Sequence, residues 1–162
     1  MEQEMNRIYH EIAEIVNEMI PEKWESFHCY AQVSETGGGT YFFYNTPDKK
    51  EEFIYSLDIS SYFNIDKNEF NILKRKLFSL CEKLREVFIY HGQELWHSFT
   101  LSLEQSGKFK IHYDYTNWFE TDYGFNEQMV IWEYKYLGII PIDEKQKKLI
   151  ERYLEEYPNN PI

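Results

Sequence analysis

The residues able to do chemistry in this chain are five histidines, two cysteines and a large stock of carboxylates. Among the histidines (His10, His28, His91, His97 and His112), one has a suggestive neighbour. His112 and Asp114 stand two apart in FKIHYDY, a spacing that puts both on one side of a strand. A His-x-Asp pair can hold a metal or pass a proton, and His28 and His97 could join it from neighbouring strands. A small metal-dependent hydrolase using His112, Asp114 and His28 is therefore one reading. The other is a polar strand face turned to water. The usual catalytic motifs are missing: there is no Cys-x-x-Cys, no His-Glu-x-x-His, no Gly-x-Ser-x-Gly and no Walker loop. No carboxylate pair has a spacing that marks acid–base work. Cys29 and Cys81 have no basic neighbour to lower a thiol pKa and read as small apolar core groups. Gly37-Gly38-Gly39 lacks what a phosphate loop needs, because a strand-like YFFY follows where a helix N-terminus and a lysine should stand.

The elements that position these residues follow from periodicity. From Phe109 to Tyr115 apolar or aromatic residues alternate with Lys110, His112 and Asp114, the pattern of a strand with one face buried. An acidic, aromatic loop comes next, with Tyr115, Trp118, Phe119, Tyr123 and Phe125 set among Asp114, Glu120 and Asp122. A helix over about 126–137 follows, stopped by Gly138 and Pro141. Exposed rings in such a loop forgo about 1.5–3 kcal/mol of burial each, so they fold back onto a core or meet a partner.

Upstream, residues 2–20 carry one apolar stripe (Ile8, Ile12, Val16, Met19) opposite a glutamate-rich face, and Pro21 ends that helix. Residues 24–33 alternate, with Phe27, Cys29, Ala31 and Val33 on one side. The glycine run then reads as the turn of a hairpin into Tyr41–Tyr44. A third strand is expected over 52–58 and a connector over 60–64. Asp66 and Glu69, with Ile65 and Phe70 as a hydrophobic staple, start a second long helix. Its buried stripe runs Phe70, Leu73, Leu77, Leu80, Cys81, Leu84, Val87 and Phe88, and Gly92 stops it. Residues 96–104 alternate and turn through Gln105–Lys108 into the 109–115 strand. Asp143 caps a last helix with Leu149, Ile150, Tyr153, Leu154 and Tyr157 on its apolar side. The order predicts an α+β fold: a single domain over 1–162, with an antiparallel sheet of about five strands covered by helices.

The length of 162 residues suits one core, and 19% aromatic content argues against disorder. No apolar run approaches a membrane span, and the acidic opening MEQEMNRIYHE does not read as a secretory signal. A cytoplasmic protein with reduced thiols is expected. The net charge of −11 is unevenly spread. Residues 66–85 carry an excess of Lys and Arg, whereas 1–65 and 86–134 are strongly acidic, and Ile111 to Tyr134 contains no Lys or Arg. Such a balance disfavours nucleic acid and acidic membranes and favours a basic protein partner. A general acidic scaffold is the less specific alternative.

Four stretches, taken in order, carry a resemblance. IYHEIAEIVNEMIPEKWESF, then GGGTYFFYN, then GKFKIHYDYTNWFETDYG, then WEYKYLGIIP are similar to the YezG-type immunity proteins, also known as domain of unknown function 600. The likeness covers nearly the whole chain. Single pieces such as YDY are weakly specific, whereas the ordered set is distinctive. One departure is Gln128, where many members carry an arginine, a difference that bears on partner specificity.

The resemblance implies a non-enzymatic antitoxin of Gram-positive bacteria that needs no cofactor. It would bind and neutralise the C-terminal nuclease domain of a polymorphic toxin in the producing cell, before export by a type VII secretion route. A nuclease that grips phosphates has a basic cleft, to which an acidic inhibitor is steered. On composition, the contact is expected at Asp114, Tyr115, Trp118, Phe119, Glu120, Asp122 and Tyr123, with rings as anchors and acids as the charge complement. The acidic face of the first helix is the rival surface.

Overall fold

The computed structural model describes residues 1–162. It is an α+β fold with one five-stranded antiparallel sheet in the order β3-β2-β1-β4-β5. The chain falls into two compact units, Met1–His112 and Tyr113–Ile162.

The first unit opens with α1 (Glu2–Met19), whose buried side is Ile8, Tyr9, Ile12, Val16 and Met19. Strands β1 (Ser26–Ser34), β2 (Gly37–Thr46) and β3 (Lys49–Tyr55) follow, and then a 3-10 turn and a one-turn helix, α2 (Ile59–Tyr62). The long helix α3 (Lys67–Tyr90) starts as the sequence signals. Asp66 caps it by accepting from the backbone N–H groups of Asn68 and Glu69, at 2.7 and 3.2 Å. Strand β4 (Ser98–Glu104) completes the centre of the sheet, and β5 (Phe109–Asp114) forms its edge.

Register explains the core. Phe27, Cys29 and Ala31 of β1 pair with Tyr44, Phe42 and Thr40 of β2, and on the other side with Leu103, Leu101 and Phe99 of β4. These residues share one face. Helix α3 packs on β1 and β2, and α1 packs on α3. Burial raises both buried thiols, Cys29 to about 12, and Cys29 and Glu82 push Cys81 of α3 further up. Trp96 is fully buried, edge-on to Phe88 and Phe99. The opposite face is also aromatic: Tyr55 stacks on Phe43 at 4.7 Å and on Tyr41 at 6.4 Å, while Phe53 lies 5.8 Å from His28. Tyr30 and Phe43 are both buried.

Three expectations change. The glycines do not form the hairpin turn. Ser34 pairs with Gly37, so Glu35 and Thr36 make the turn and the glycines open β2. The reason is steric: a Cβ on Gly38 would lie 1.8 Å from the carbonyl oxygen of Gln32 on the paired strand. Strand β3 begins earlier and ends at Tyr55, because Ser56 leaves the ladder and opens the 3-10 turn over Ser56–Asp58, its carbonyl accepting from the Ile59 N–H. Its hydroxyl lies 3.2 Å from the backbone N–H of Phe42, which donates to it. The alternation of 109–115 is not reproduced as burial. Phe109 is 42% exposed and Asp114 only 3%. As the edge strand, β5 has one neighbour only, so its pleat does not by itself decide which side is covered.

The second unit holds the loop after β5, then α4 (Phe125–Leu137) and α5 (Glu144–Glu156). Gly138 adopts the left-handed conformation, φ 66°, and its N–H returns to the Glu133 carbonyl, ending α4. Asp143 caps α5 through the Gln146 N–H at 2.7 Å. Of the expected apolar side of α5, Ile150 and Tyr153 are buried, whereas Leu154 is 41% exposed.

Candidate functional site

The acidic loop of the second unit is built around a buried pair. Asp114 accepts from the Trp118 indole N–H at 2.7 Å and from the Thr116 backbone N–H at 2.9 Å. Each of its oxygens has a donor, so the carboxylate is satisfied out of water. Asn117 accepts from the Phe119 N–H and starts a 3-10 turn over Trp118–Glu120. The Thr121 hydroxyl donates to the Trp118 carbonyl at 2.7 Å and accepts from the Tyr123 N–H at 3.2 Å. Asp114, Asn117 and Thr121 thus each spend a side-chain oxygen on local backbone, which gives a loop of this composition one shape.

The rings fix the loop to α5. Trp118 packs against Tyr123, Tyr153 and Tyr157 at centroid distances of 5.4, 6.1 and 5.0 Å. Arg152 lies over the Tyr123 ring at 4.3 Å and its Nε donates to the Tyr123 hydroxyl, which in turn donates to Glu156 at 2.9 Å. Gln128 is also buried, and its amide donates to the Tyr123 carbonyl at 3.2 Å. Gln128 therefore supports the loop through the Tyr123 backbone.

The seven residues expected at the contact divide into two sets. Asp114, Trp118 and Tyr123 are 3%, 2% and 3% exposed and form the frame. Tyr115 and Phe119 are 43% and 75% exposed, and Glu120 and Asp122 are exposed beside them in sequence. Glu120 and Asp122 belong to no ion pair. On α1, Glu11 pairs with Arg7 at 3.7 Å, and Glu14 lies 3.6 Å from the His10 ring.

Other residues were not singled out by sequence. Arg152 and Glu156 hold the loop together with Tyr157, and their signal was their own i,i+4 spacing on α5. Beyond Gly138, Ile140 and Ile142 are 77% and 91% exposed, making an apolar loop that the GIIPI run spelled out.

The histidine reading does not assemble. No group of three or more His, Cys, Asp or Glu residues is arranged to hold a metal. His112 is exposed, whereas Asp114 is committed to Trp118 and Thr116. His28 lies opposite Ser102 and its Nδ1 is 2.6 Å from the Ser102 hydroxyl, while His97 precedes β4, its carbonyl accepting from Val33. Burial lowers the His28 pKa to about 4, with Glu104 opposing weakly. No helix is long and apolar enough to cross a membrane.

Comparison with known proteins gives the chain's relatives. The chain is 36% identical over 150 residues to the immunity protein YezG of Bacillus subtilis, covering 93% of this chain and 99% of that protein. It is 33% identical over 153 residues to YezG of Bacillus spizizenii, covering 94% and 92%. It is 30% identical over 158 residues to the type VII secretion system protein EsaG of Staphylococcus aureus, covering 96% of each. The profile of YezG-like immunity proteins matches residues 5–151, and so runs from α1 through the framed loop into α5. With more than nine-tenths of its length aligned to these relatives, the chain belongs to the YezG-like immunity protein family.

Proposed function

We propose that this chain is a cytoplasmic, non-enzymatic antitoxin that binds the nuclease domain of a cognate toxin before the toxin leaves by a type VII route, with residues 1–162 acting as one immunity domain. Family membership supports the immunity role, and the name of the staphylococcal relative supports the secretion route. The observation that carries the nuclease reading is the state of the loop. Phe119 stands 75% exposed beside two acids with no cationic partner, on a turn whose base is locked. A pre-ordered turn loses little entropy on docking, and an exposed ring gains by burial. Unpaired carboxylates complement the cations with which a nuclease holds phosphates. In this reading Tyr115, Phe119, Glu120 and Asp122 touch the toxin, and Asp114, Trp118 and Tyr123 hold them in place.

The test is co-expression with the nuclease toxin encoded beside the gene. Rescue of growth and a stable complex of the two proteins are expected. Failure to protect against that toxin, with the chain folded and abundant, would sink the proposal.

A further inference from the structure

Helices α1 and α3 pack side by side in the Met1–His112 unit and leave a groove between them. It consists of two hollows of about 520 and 400 Å³ that meet at Glu11 and Lys83, which line both. The helices run antiparallel: Glu4 lies beside His91 at one end, and Glu14 and Ile72 share the hollow toward the other. From α3 the lining is Ile72, Lys76, Ser79, Lys83, Glu86 and Tyr90, and from α1 it is Glu4, Arg7, Glu11 and Glu14. Alternating steps of three and four are the spacing of a helix face that packs on another helix. Ile8, Leu80 and Val87 form a buried apolar floor, whereas Ile72 and Tyr90 stay 46% and 85% exposed. The two walls carry opposite charge. Glu4, Glu11 and Glu14 stand on α1, and Arg75, Lys76 and Lys83 on α3. Although the helices touch, no lysine or arginine of α3 pairs with a carboxylate of α1, and Lys76, Lys83 and Glu86 belong to no ion pair. With Arg7 and Glu86 included, the groove holds as many acids as bases, in a chain whose net charge is −11. A cationic partner is repelled by the α3 wall and an anionic one by the α1 wall. A second copy of this chain satisfies both.

We propose that this groove joins two copies of the chain about a twofold axis running along it. That axis sets each α1 residue opposite the α3 residue that flanks it in its own chain, now supplied by the other copy. Glu11 meets Lys83, Glu14 meets Lys76, and Arg7 meets Glu86, so each wall faces its opposite charge. Ile72 and Tyr90 are covered by α1 of the other copy, and the four helices form a bundle. An axis across the groove would lay α1 on α1 and set glutamate against glutamate, so the charge pattern selects one of the two pairings. The lined stretch of α3 is roughly 27 Å long and two helices abreast are about 20 Å wide, so each copy contributes on the order of 500 Å². The total of about 1,000 Å² is at the lower bound of specific interfaces, which predicts a reversible dimer. The proposal does not rest on toxin binding.

Sedimentation equilibrium of the intact chain, from about 1 to about 500 μM, tests it. The wild type is expected to pass from monomer to dimer with a Kd of tens of micromolar, and to dimerise less as salt is added. Glu11→Lys/Glu14→Lys makes both walls basic, and Lys76→Glu/Lys83→Glu makes both acidic. Each double variant alone should remain monomeric while keeping the wild-type circular dichroism spectrum. Mixed in equal amounts, the two should form a heterodimer, because the reversed wall of each then faces its opposite in the other. Tyr90→Ala, which leaves both charged walls intact, should raise the wild-type Kd severalfold. A wild type that stays monomeric throughout would leave the groove to a foreign helix and overturn the proposal. So would a double variant that still dimerises alone, or a mixture of the two folded variants that stays monomeric.

Discussion

Trp118 donates its indole N–H to Asp114 across 2.7 Å, and both residues are buried within four positions of each other. This bond closes the acidic loop on itself and turns its rings toward Tyr153 and Tyr157. Asp114→Ala should therefore destabilise the chain by about 1.5–3 kcal/mol, the range for a hydrogen bond to a charged group. Trp118→Phe should cost a similar amount by leaving the carboxylate one donor short. A double-mutant cycle read by chemical denaturation would show the two losses to be non-additive. Full additivity would mean that the bond contributes nothing to holding the loop.

Phe119 and its flanking acids should behave in the opposite way. Phe119→Ala is expected to leave stability within about 0.5 kcal/mol, as for exposed positions generally, but to weaken toxin binding by about 2 kcal/mol or more, as for an interface anchor. Glu120→Lys with Asp122→Lys should slow association, and added salt should slow wild-type association as well. Reversal of Glu11, already paired with Arg7, together with Glu14 should matter less. The reverse ranking in a binding assay would move the contact to α1.

Acid should destabilise the first unit through His28. Its folded pKa is lowered from 6.5 to about 4 by burial, so the unfolded chain takes up the proton first. The stabilisation from keeping His28 neutral is complete above about pH 6.5 and is lost as pH falls toward 4. Stability measured over this window should decline on acidification, and His28→Gln should flatten the decline. An unchanged slope would assign the effect to other groups.

Cys29 and Cys81 should be silent toward thiol reagents in the native state. Both are fully buried, and burial raises Cys29 to about 12 and Cys81 well above its ordinary value, so almost no thiolate exists at neutral pH. Labelling followed by mass spectrometry should show both thiols reacting only after denaturant is added. Rapid native labelling would contradict their placement.

Gly38 and Gly39 should differ sharply although they are neighbours. A Cβ at Gly38 would strike the Gln32 carbonyl, which is backbone and cannot move without breaking the ladder. At Gly39 the nearest atom is the Tyr41 hydroxyl at 2.9 Å, the end of a side chain. Gly38→Ala should cost at least about 2 kcal/mol, in the tail of single-substitution effects, and Gly39→Ala less. Thermal melts of the two variants would separate them.

Much of this architecture is written in local signals. Asp66 and Asp143 cap α3 and α5, Gly138 closes α4, and the alternation of 24–33 and 96–104 yields β1 and β4, all from patterns a few residues long. The glycine run was misleading because its meaning is not local: Gly38 is required by a carbonyl on the strand it pairs with. The His112–Asp114 spacing misled for a related reason. Side-chain period places two residues on a face, but whether a carboxylate there meets solvent, a metal or an indole depends on what folds back over it.

The candidate contact shows the same division. From sequence alone, the chain was α+β, acidic, rich in aromatic residues between 113 and 125, and similar to immunity proteins, because composition, periodicity and motif order are properties of the linear chain. Which of the seven loop residues face outward was decided only by tertiary structure. Trp118 and Phe119 are adjacent aromatics, and Asp114 and Glu120 are both acids, yet the first of each pair is buried and the second exposed. What separates them is the turn over Trp118–Glu120 and the tyrosines of α5, which give Trp118 a bed and a carboxylate acceptor and leave Phe119 with neither.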